Sequence, residues 1–251
     1  MIDPGNLSPW LLLVAPLVII VAYTVFGLSG FGSTVVSVPI LAHFLPISYL
    51  VPLMALLDLA SALIVGGRGR EHLSREELKR LLPWMFVGFV VGGTVLIRVP
   101  DQYLRIALGL FAAAVGTYSI MNPVLSRTIS TLWSIPAGIV GGAFATVFGA
   151  GGPVHATYLS GRLRDKNQIR ATISTLISIS ALSRAVVYAI SGLLVHMALF
   201  VGALVLSPFV WIGLQIGQRI HVGLSQEQMR RAVGGLLVAT GLSLLVRALF
   251  Q

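Results

Sequence analysis

Eight long apolar runs dominate this sequence and restrict its fold more than any other feature. A bilayer core about 30 Å thick is crossed by roughly 17 to 25 helical residues. The runs of this length lie at residues 10–29, 50–66, 81–97, 103–121, 133–149, 171–191, 197–214 and 232–249. With 56% hydrophobic and only 10% charged residues, the composition is far from that of a soluble domain. We predict an all-α polytopic membrane protein with about eight long transmembrane helices.

Two shorter apolar runs, 33–46 and 153–160, each follow a long run across a glycine-rich junction. The junctions read "GLSGFGS" and "FGAGGP". Backbone that leaves helical geometry at membrane depth must be buried in protein or line a cavity. We predict that each junction breaks a helix and that a short second helix completes a hairpin, with re-entry and full crossing both open. Alternatively, the glycines only permit close helix packing.

The two halves of the chain align with each other, which indicates an internal duplication. Offsets of 119 and 125 residues superpose these pairs: Gly30 on Gly149, Gly32 on Gly151, Arg105 on Arg230, Ala107 on Ala232, Gly109 on Gly234 and Gly116 on Gly241. We therefore predict a single membrane domain, 1–251, built from two homologous halves, 1–126 and 127–251.

The basic residues predict how these halves are oriented. The 17 Lys and Arg residues outnumber the 8 Asp and Glu residues, and 13 of the 17 lie in four clusters between apolar runs. The clusters comprise Arg68, Arg70, Arg75, Lys79 and Arg80; Arg127; Arg162, Arg164, Lys166 and Arg170; and Arg219, Arg230 and Arg231. All four are cytoplasmic if both termini are outside, as the positive-inside rule favours. The halves are then an inverted repeat. We interpret the positive charge as topology and lipid contact, and expect no nucleic-acid partner.

The helices that begin after the junctions are candidate anion sites. The first amides of a helix lack intrahelical acceptors, and the helix dipole adds partial positive charge there. Ser33 and Thr34 add hydroxyl donors in the first half, while Gly151 and Gly152 let a ligand approach bare backbone in the second. The predicted substrate-binding residues are Gly30, Gly32, Ser33, Thr34, Gly149, Gly151, Gly152 and Arg184.

Among the long runs, Asp58 and Arg184 are the ionisable residues near mid-span, each eight residues before a glycine that ends its run. A charge at that depth costs at least about 2.5–3.5 kcal/mol and is by default functional or paired. One interpretation is that Arg184 attracts an anion and Asp58 carries a coupling proton; the other is a purely structural ion pair. His155, three residues after Gly152, is a second proton-coupling candidate, although a lone histidine in an apolar helix is often simply satisfied by a neighbour.

Other patterns limit the remaining possibilities. Ser74 and Glu77 form a predicted capping box at a helix start. The chain has no cysteine, no P-loop and no dinucleotide fingerprint. We expect no enzyme activity, no metal and no cofactor. The partners expected are a small anion and the lipid bilayer, and the oligomeric state, a homodimer included, is left open.

Three segments together carry a resemblance to a known family. They are "GLSGFGSTVVSVPIL", "RGREHLSREELKRLLPWMFVGFVVGG", and the second-half stretch from "GGAFATVFGAGGPVHATYLSGR" to "SRAVVYAISGLL". The chain resembles the sulfite exporter TauE/SafE family over nearly its whole length. The resemblance implies a prokaryotic cytoplasmic (inner) membrane permease for small sulfur-containing anions such as sulfite, sulfonates and sulfoacetate. The first junction has Gly-Phe-Gly-Ser where a denser glycine run would be expected, which indicates a narrower or differently selective pocket.

We therefore predict a secondary transporter of small sulfur anions, with its site where the two glycine tips meet at the membrane midplane. Two alternatives stay open at the sequence level. The first is a passive anion channel, which would use the same glycine tips and arginine. The second is a non-transporting membrane subunit, for assembly or cofactor binding, which would have the same hydropathy.

Overall fold

The computed structural model describes residues 9–29, 31–65, 72–121, 129–194, 196–219 and 226–250. All regular structure within these ranges is helical, which confirms the all-α prediction. The α-helices there are α1 Pro9–Ser29, α2 Ser33–Leu41, α3 Ile47–Val65, α4 Arg75–Arg98, α5 Asp101–Met121, α6 Ser134–Phe148, α7 Gly152–Ser160, α8 Lys166–Ile190, α9 Met197–Arg219 and α10 Gln226–Phe250. A 3₁₀ turn, Thr131–Trp133, leads into α6.

Five of the described helices are long and apolar enough to cross a membrane: Arg75–Arg98, Asp101–Met121, Thr131–Phe148, Asn167–Ile190 and Met197–Gly217. Shorter apolar stretches are Leu13–Leu28 in α1, Ile47–Ser61 in α3 and Val233–Ala248 in α10. Large apolar side chains also cover the outward faces, as with Leu204 at 75% and Ile190 at 83% exposed. A contiguous apolar exterior is what a lipid-facing surface presents. The chain is thus a multi-pass membrane protein, and each predicted run coincides with one helix.

Both glycine junctions interrupt helical structure, as predicted. Gly32 has φ 104° and Gly149 has φ 70°. Residues with a Cβ rarely adopt this left-handed region, so glycine is required for the turn as well as for close packing. Gly30, the other glycine predicted at the first junction, lies outside the described residues.

The α6–α7 unit is a hairpin whose two ends lie side by side. The Ile129 amide, just before α6, donates to the Gly161 carbonyl, just after α7, at 3.0 Å. The Arg162 guanidinium donates back to the Ile129 carbonyl, also at 3.0 Å. The short helix α7 therefore returns to the end of the molecule at which α6 starts.

The start of α4 differs from the sequence interpretation. Ser74 makes no side-chain capping bond, and its amide donates to the Thr172 hydroxyl at 3.1 Å. Glu77 is only 3% exposed, and its carboxylate accepts hydrogen bonds from Tyr158 at 2.6 Å and Arg162 at 3.1 Å. The predicted capping box is wrong, because tertiary partners on α7 and the loop after it take the carboxylate that a local cap would use.

Glycines form the closest contacts between helices. α4 packs on α6, α9 packs on α1, and α5 packs on α10. A Cβ built at any glycine of this set would overlap the partner helix: Gly88 and Gly92 on α4, Gly213 and Gly217 on α9, Gly109 and Gly116 on α5, Gly234 and Gly241 on α10. Small residues let helix backbones approach closely where lipid removes the hydrophobic driving force between helices.

These contacts predict which glycines are structurally required. Gly88→Ala and Gly213→Ala should each lower the free energy of unfolding by about 1–3 kcal/mol, because the added methyl overpacks a backbone contact. Gly235→Ala is the matched control, since a Cβ there meets no atom within 4 Å. The measurement is the thermal unfolding midpoint of purified protein in detergent. Equal midpoints for all three variants would contradict the packing assignment.

Candidate functional site

A small closed cavity lies where the starts of α2 and α7 meet. The first turn of α2, the end of α6, the start of α7 and the middle of α8 line it. The sequence-predicted residues among its lining are Gly32, Ser33, Thr34, Gly149, Gly151, Gly152, His155 and Arg184. Asp58 contacts Arg184 from α3. The fold therefore brings candidates from both halves of the chain to one place, while Gly30 lies outside the described residues.

Arg184 and Asp58 form an ion pair that is almost completely buried. Arg184 Nη2 donates to Asp58 Oδ2 at 2.9 Å, and each side chain is 2% exposed. Two hydroxyls hold the other carboxylate oxygen: Tyr23 and Ser33 both donate to Oδ1 at 2.8 Å. Buried charges are stable only when paired and hydrogen-bonded, and this carboxylate has a donor on each of three other helices. The pairing expected by the structural interpretation is present.

The pair uses only part of the arginine. Arg184 Nε and Nη1 are buried and make no hydrogen bond to the described residues, and the same holds for His155 Nε2. Nη1 lies at the second junction, since a Cβ built on Gly149 would be 2.9 Å from it. An unsatisfied buried polar group costs about 1–3 kcal/mol, and more when it is charged. Unused donors of this kind in a cavity indicate a site that a ligand completes.

Two helix starts face the same cavity. α2 begins after Gly32 and α7 after Gly151, and neither start has a side-chain cap. The first amides of each helix have no intrahelical acceptor, although Pro153 removes one donor from α7. Both dipoles therefore add positive potential beside the arginine. The arrangement favours an anion over a neutral ligand or a cation.

The cavity is closed in this structure. Its volume is about 10 Å³, which is room for about one water molecule. Thr34 on α2 donates a hydrogen bond to the Gly149 carbonyl, which joins the two glycine tips directly. A Cβ on Gly152 would lie 3.1 Å from the Phe31 side chain, so the tips also pack together. An anion with several oxygens requires the tips to separate.

The sequence did not single out Tyr23, which holds Asp58, or Ile177, which lines the cavity beside Arg184. A buried tyrosine hydroxyl usually has a partner, so Tyr23 inside an apolar run was a usable signal. For Ile177 the only guide is helical spacing from Arg184, at i−7, which other α8 residues share. Which face of α8 is inside depends on the packed structure.

Comparisons with known proteins find similarity to membrane transporters. The sequence pattern of the family described as "Sulfite exporter TauE/SafE" matches residues 15–244. The "Probable inner membrane transporter protein TsaS" of Comamonas testosteroni is 28% identical over 193 residues, which cover 76% of this chain and 81% of the relative. No solved structure matches.

The ion pair makes a quantitative prediction for stability. Asp58→Asn should lower the free energy of unfolding by about 3–5 kcal/mol, because it leaves the Arg184 charge buried without compensation. The double variant Asp58→Asn/Arg184→Gln removes both charges and should lose less than the sum of the two single variants. A double-mutant cycle on unfolding in detergent measures this coupling. Additive losses would show that the two side chains stabilise the fold independently.

Proposed function

Because the chain belongs to the sulfite exporter TauE/SafE family, we propose that it is a secondary transporter of small sulfur-containing anions. The substrates proposed are sulfite and organosulfonates such as sulfoacetate. One observation carries the proposal: two unused Arg184 nitrogens lie buried in a cavity formed by two uncapped helix starts. The printed name of the relative from Comamonas testosteroni, a probable inner membrane transporter, supports the same class and location.

Binding follows from these donors. Arg184 Nη2 stays on Asp58, while the free N–H groups of Nε and Nη1, which lie on different edges of the guanidinium, are available for charge-assisted hydrogen bonds to the anion. Amides near Gly32, Ser33 and Thr34, together with amides at Gly151 and Gly152, supply further donors. The Ser33 and Thr34 hydroxyls join them only when their bonds to Asp58 and the Gly149 carbonyl open. Sulfite and sulfonates present three oxygens on one sulfur, which matches donors that approach from several directions. The apolar side chains of Val35, Ala145 and Ile177 leave part of the wall without donors, as an organic substituent requires.

Several contacts support two homologous halves, residues 1–126 and 127–251. In the alignment of the two halves, Gly213 is the equivalent of Gly88 at an offset of 125 residues. Ile139 is the equivalent of Ile20 at the offset of 119 residues that aligns the glycine junctions. Cβ atoms built on Gly88 and Gly213 would overlap the carbonyls of Ile139 and Ile20, respectively. The contact of Gly88 in the first half with Ile139 in the second therefore has an equivalent, in which Gly213 of the second half contacts Ile20 of the first. Gly92 against Ala143 and Gly217 against Thr24 repeat it one turn further along.

The α5–α10 pair supports the inverted orientation. These helices are equivalents under the offset of 125, and Gly109 contacts Gly241 while Gly116 contacts Gly234. Along this contact the residue numbers rise on α5 and fall on α10, so these two equivalent helices run antiparallel. Antiparallel equivalents are what a two-fold axis in the membrane plane produces. With the basic clusters inside, both termini are then outside a prokaryotic inner membrane.

Alternating access follows from the same geometry. Each glycine tip belongs to one half, and the hydrogen bond from Thr34 to the Gly149 carbonyl joins the tips across the site. Movement of one hairpin away from the other would open the cavity to one side at a time. At the end that carries the basic clusters, Tyr158 and Arg162 hold the α6–α7 hairpin to the buried Glu77. A closed cavity of about 10 Å³ favours such a transporter over a continuously open anion channel.

The alternatives differ from the transporter in simple measurements. A passive channel predicts unitary currents in planar bilayers, whereas a transporter predicts saturable exchange without them. A cofactor-binding subunit predicts visible absorbance of the purified protein. An assembly subunit predicts no anion flux from the purified chain alone.

Proteoliposome flux tests the site. Arg184→Gln should slow uptake of sulfite and sulfoacetate at least about tenfold, because hydrogen bonds to a charged group contribute about 1.5–3 kcal/mol. The matched control is Arg98→Gln, an exposed arginine at the end of α4, which should transport normally. Asp58→Asn/Arg184→Gln separates transport from folding: it should be more stable than the single variants predict, yet still inactive. Wild-type flux in Arg184→Gln would remove this residue from the mechanism.

A further inference from the structure

The carboxylate of Asp58 uses donors that the cavity also needs. Arg184, Tyr23 and Ser33 donate to it at 2.9, 2.8 and 2.8 Å. Two of these three, Arg184 and Ser33, also line the cavity. While Asp58 is ionised, the Ser33 hydroxyl hydrogen points to the carboxylate and is withheld from a ligand. Asp58 and an anion in the cavity therefore compete for the same groups.

The charge balance of the buried site decides the outcome of this competition, because anion binding favours the protonated form of Asp58. Without a ligand, Asp58 and Arg184 cancel, and both are 2% exposed or less. An anion that binds the free side of Arg184 places a second negative charge on the same guanidinium. The site then carries net negative charge away from water, which is unfavourable. One proton on Asp58 removes one unit of that negative charge, and it also frees the Ser33 hydroxyl to donate to the ligand.

We propose that the transported anion and one proton bind together, so that the protein is a proton–anion symporter. This inference rests on the proposed function and adds its co-substrate. The proton comes from the aqueous side to which the site is open and adds to the Asp58 carboxylate. Arg184 then pairs with the anion, so that the loaded site is neutral with a monoanion and carries one negative charge instead of two with a dianion such as sulfoacetate. On the other side the anion leaves, the proton leaves, and the pair between Asp58 and Arg184 re-forms.

Other titratable groups near Asp58 are few in the described part of the chain. α1 contributes Tyr23, and α8 contributes Arg184 and, one turn further on, Tyr188, whose hydroxyl donates to the Thr146 carbonyl. α7 contributes His155, whose Nε2 is buried at the cavity without a hydrogen bond. α2 supplies only the Ser33 hydroxyl, and no ionisable side chain of α5, α6 or α9 hydrogen-bonds to Asp58 in the described residues. His155 is thus the other group that could take up the proton.

Proton uptake during anion binding tests the inference directly. Purified protein is titrated with sulfoacetate by calorimetry in two buffers that differ in ionisation enthalpy, between about pH 6 and 8.5. Both acidic groups of this probe stay ionised there, since an ordinary carboxyl group has a pKa near 4; sulfite, which changes its ionisation near neutrality, is avoided. Wild type should take up close to one proton per anion, and its affinity should fall by up to about tenfold per pH unit as the pH rises.

The variants assign the proton. Asp58→Asn should bind without proton uptake and with an affinity that does not change with pH. Asp101→Asn is the matched control: Asp101 pairs with Arg105 at the start of α5, away from the cavity, and its loss should leave the uptake unchanged. His155→Gln should retain the uptake. If Asp58→Asn retains it and His155→Gln loses it, the assignment to Asp58 is overturned.

Two further outcomes are decisive even if Asp58→Asn does not fold. Wild-type binding with no proton change, or with proton release, would overturn symport while leaving the proposed anion transporter intact. Absence of binding of both sulfoacetate and sulfite would overturn the proposed function, and the coupling with it. Uptake of about one proton by the wild type and by His155→Gln supports the inference without the Asp58 variant, because Asp58 is then the remaining carboxylate at the cavity.

Discussion

A full positive charge on Arg184, buried in an apolar helical protein, is the constraint on which the centre of this structure depends. The charge is tolerated because Asp58 compensates it at 2.9 Å. The carboxylate needs its own donors in turn, and Tyr23 and Ser33 provide them. One charge therefore fixes the relative positions of α8, α3, α1 and α2. The first turn of α2, which carries Ser33, is held at the cavity by this network, so the requirements of folding and of anion binding meet at the same side chains.

A second constraint comes from the backbone. Inside the protein α6 ends at the left-handed Gly149 and α2 begins after the left-handed Gly32, and lipid offers no partner for the groups that such helix ends expose. The two tips satisfy part of this need through each other, since the Thr34 hydroxyl donates to the Gly149 carbonyl. The remaining amides face a cavity with room for about one water molecule. Donors that already bond to protein groups would gain no hydrogen bond from a ligand. The unused donors in this closed site can gain one, so the site is suited to bind and release a ligand repeatedly.

The main features of the site were readable from the sequence for a definite reason. A charge or a glycine cluster inside an apolar run is costly in a membrane, so Asp58, Arg184 and both junctions stood out without any knowledge of their contacts. Tyr23 and Glu77 did not stand out in this way. Tyr23 is ordinary in an apolar helix until its hydroxyl meets a carboxylate, and Glu77 fitted a local cap as well as it fits the distant Tyr158 and Arg162 that it binds.

The sequence by itself determined the class of protein, the helices and the places where they break, because hydropathy over some 20 residues and the conformational freedom of glycine are local properties. It also determined which residues must find partners. Only the tertiary structure decided which partners they found: that Asp58 meets Arg184, that α4 packs on α6 and α9 on α1, and that the two glycine tips face one cavity. Those choices depend on how helices distant in sequence pack, and close approach at glycine, rather than hydropathy, sets that packing.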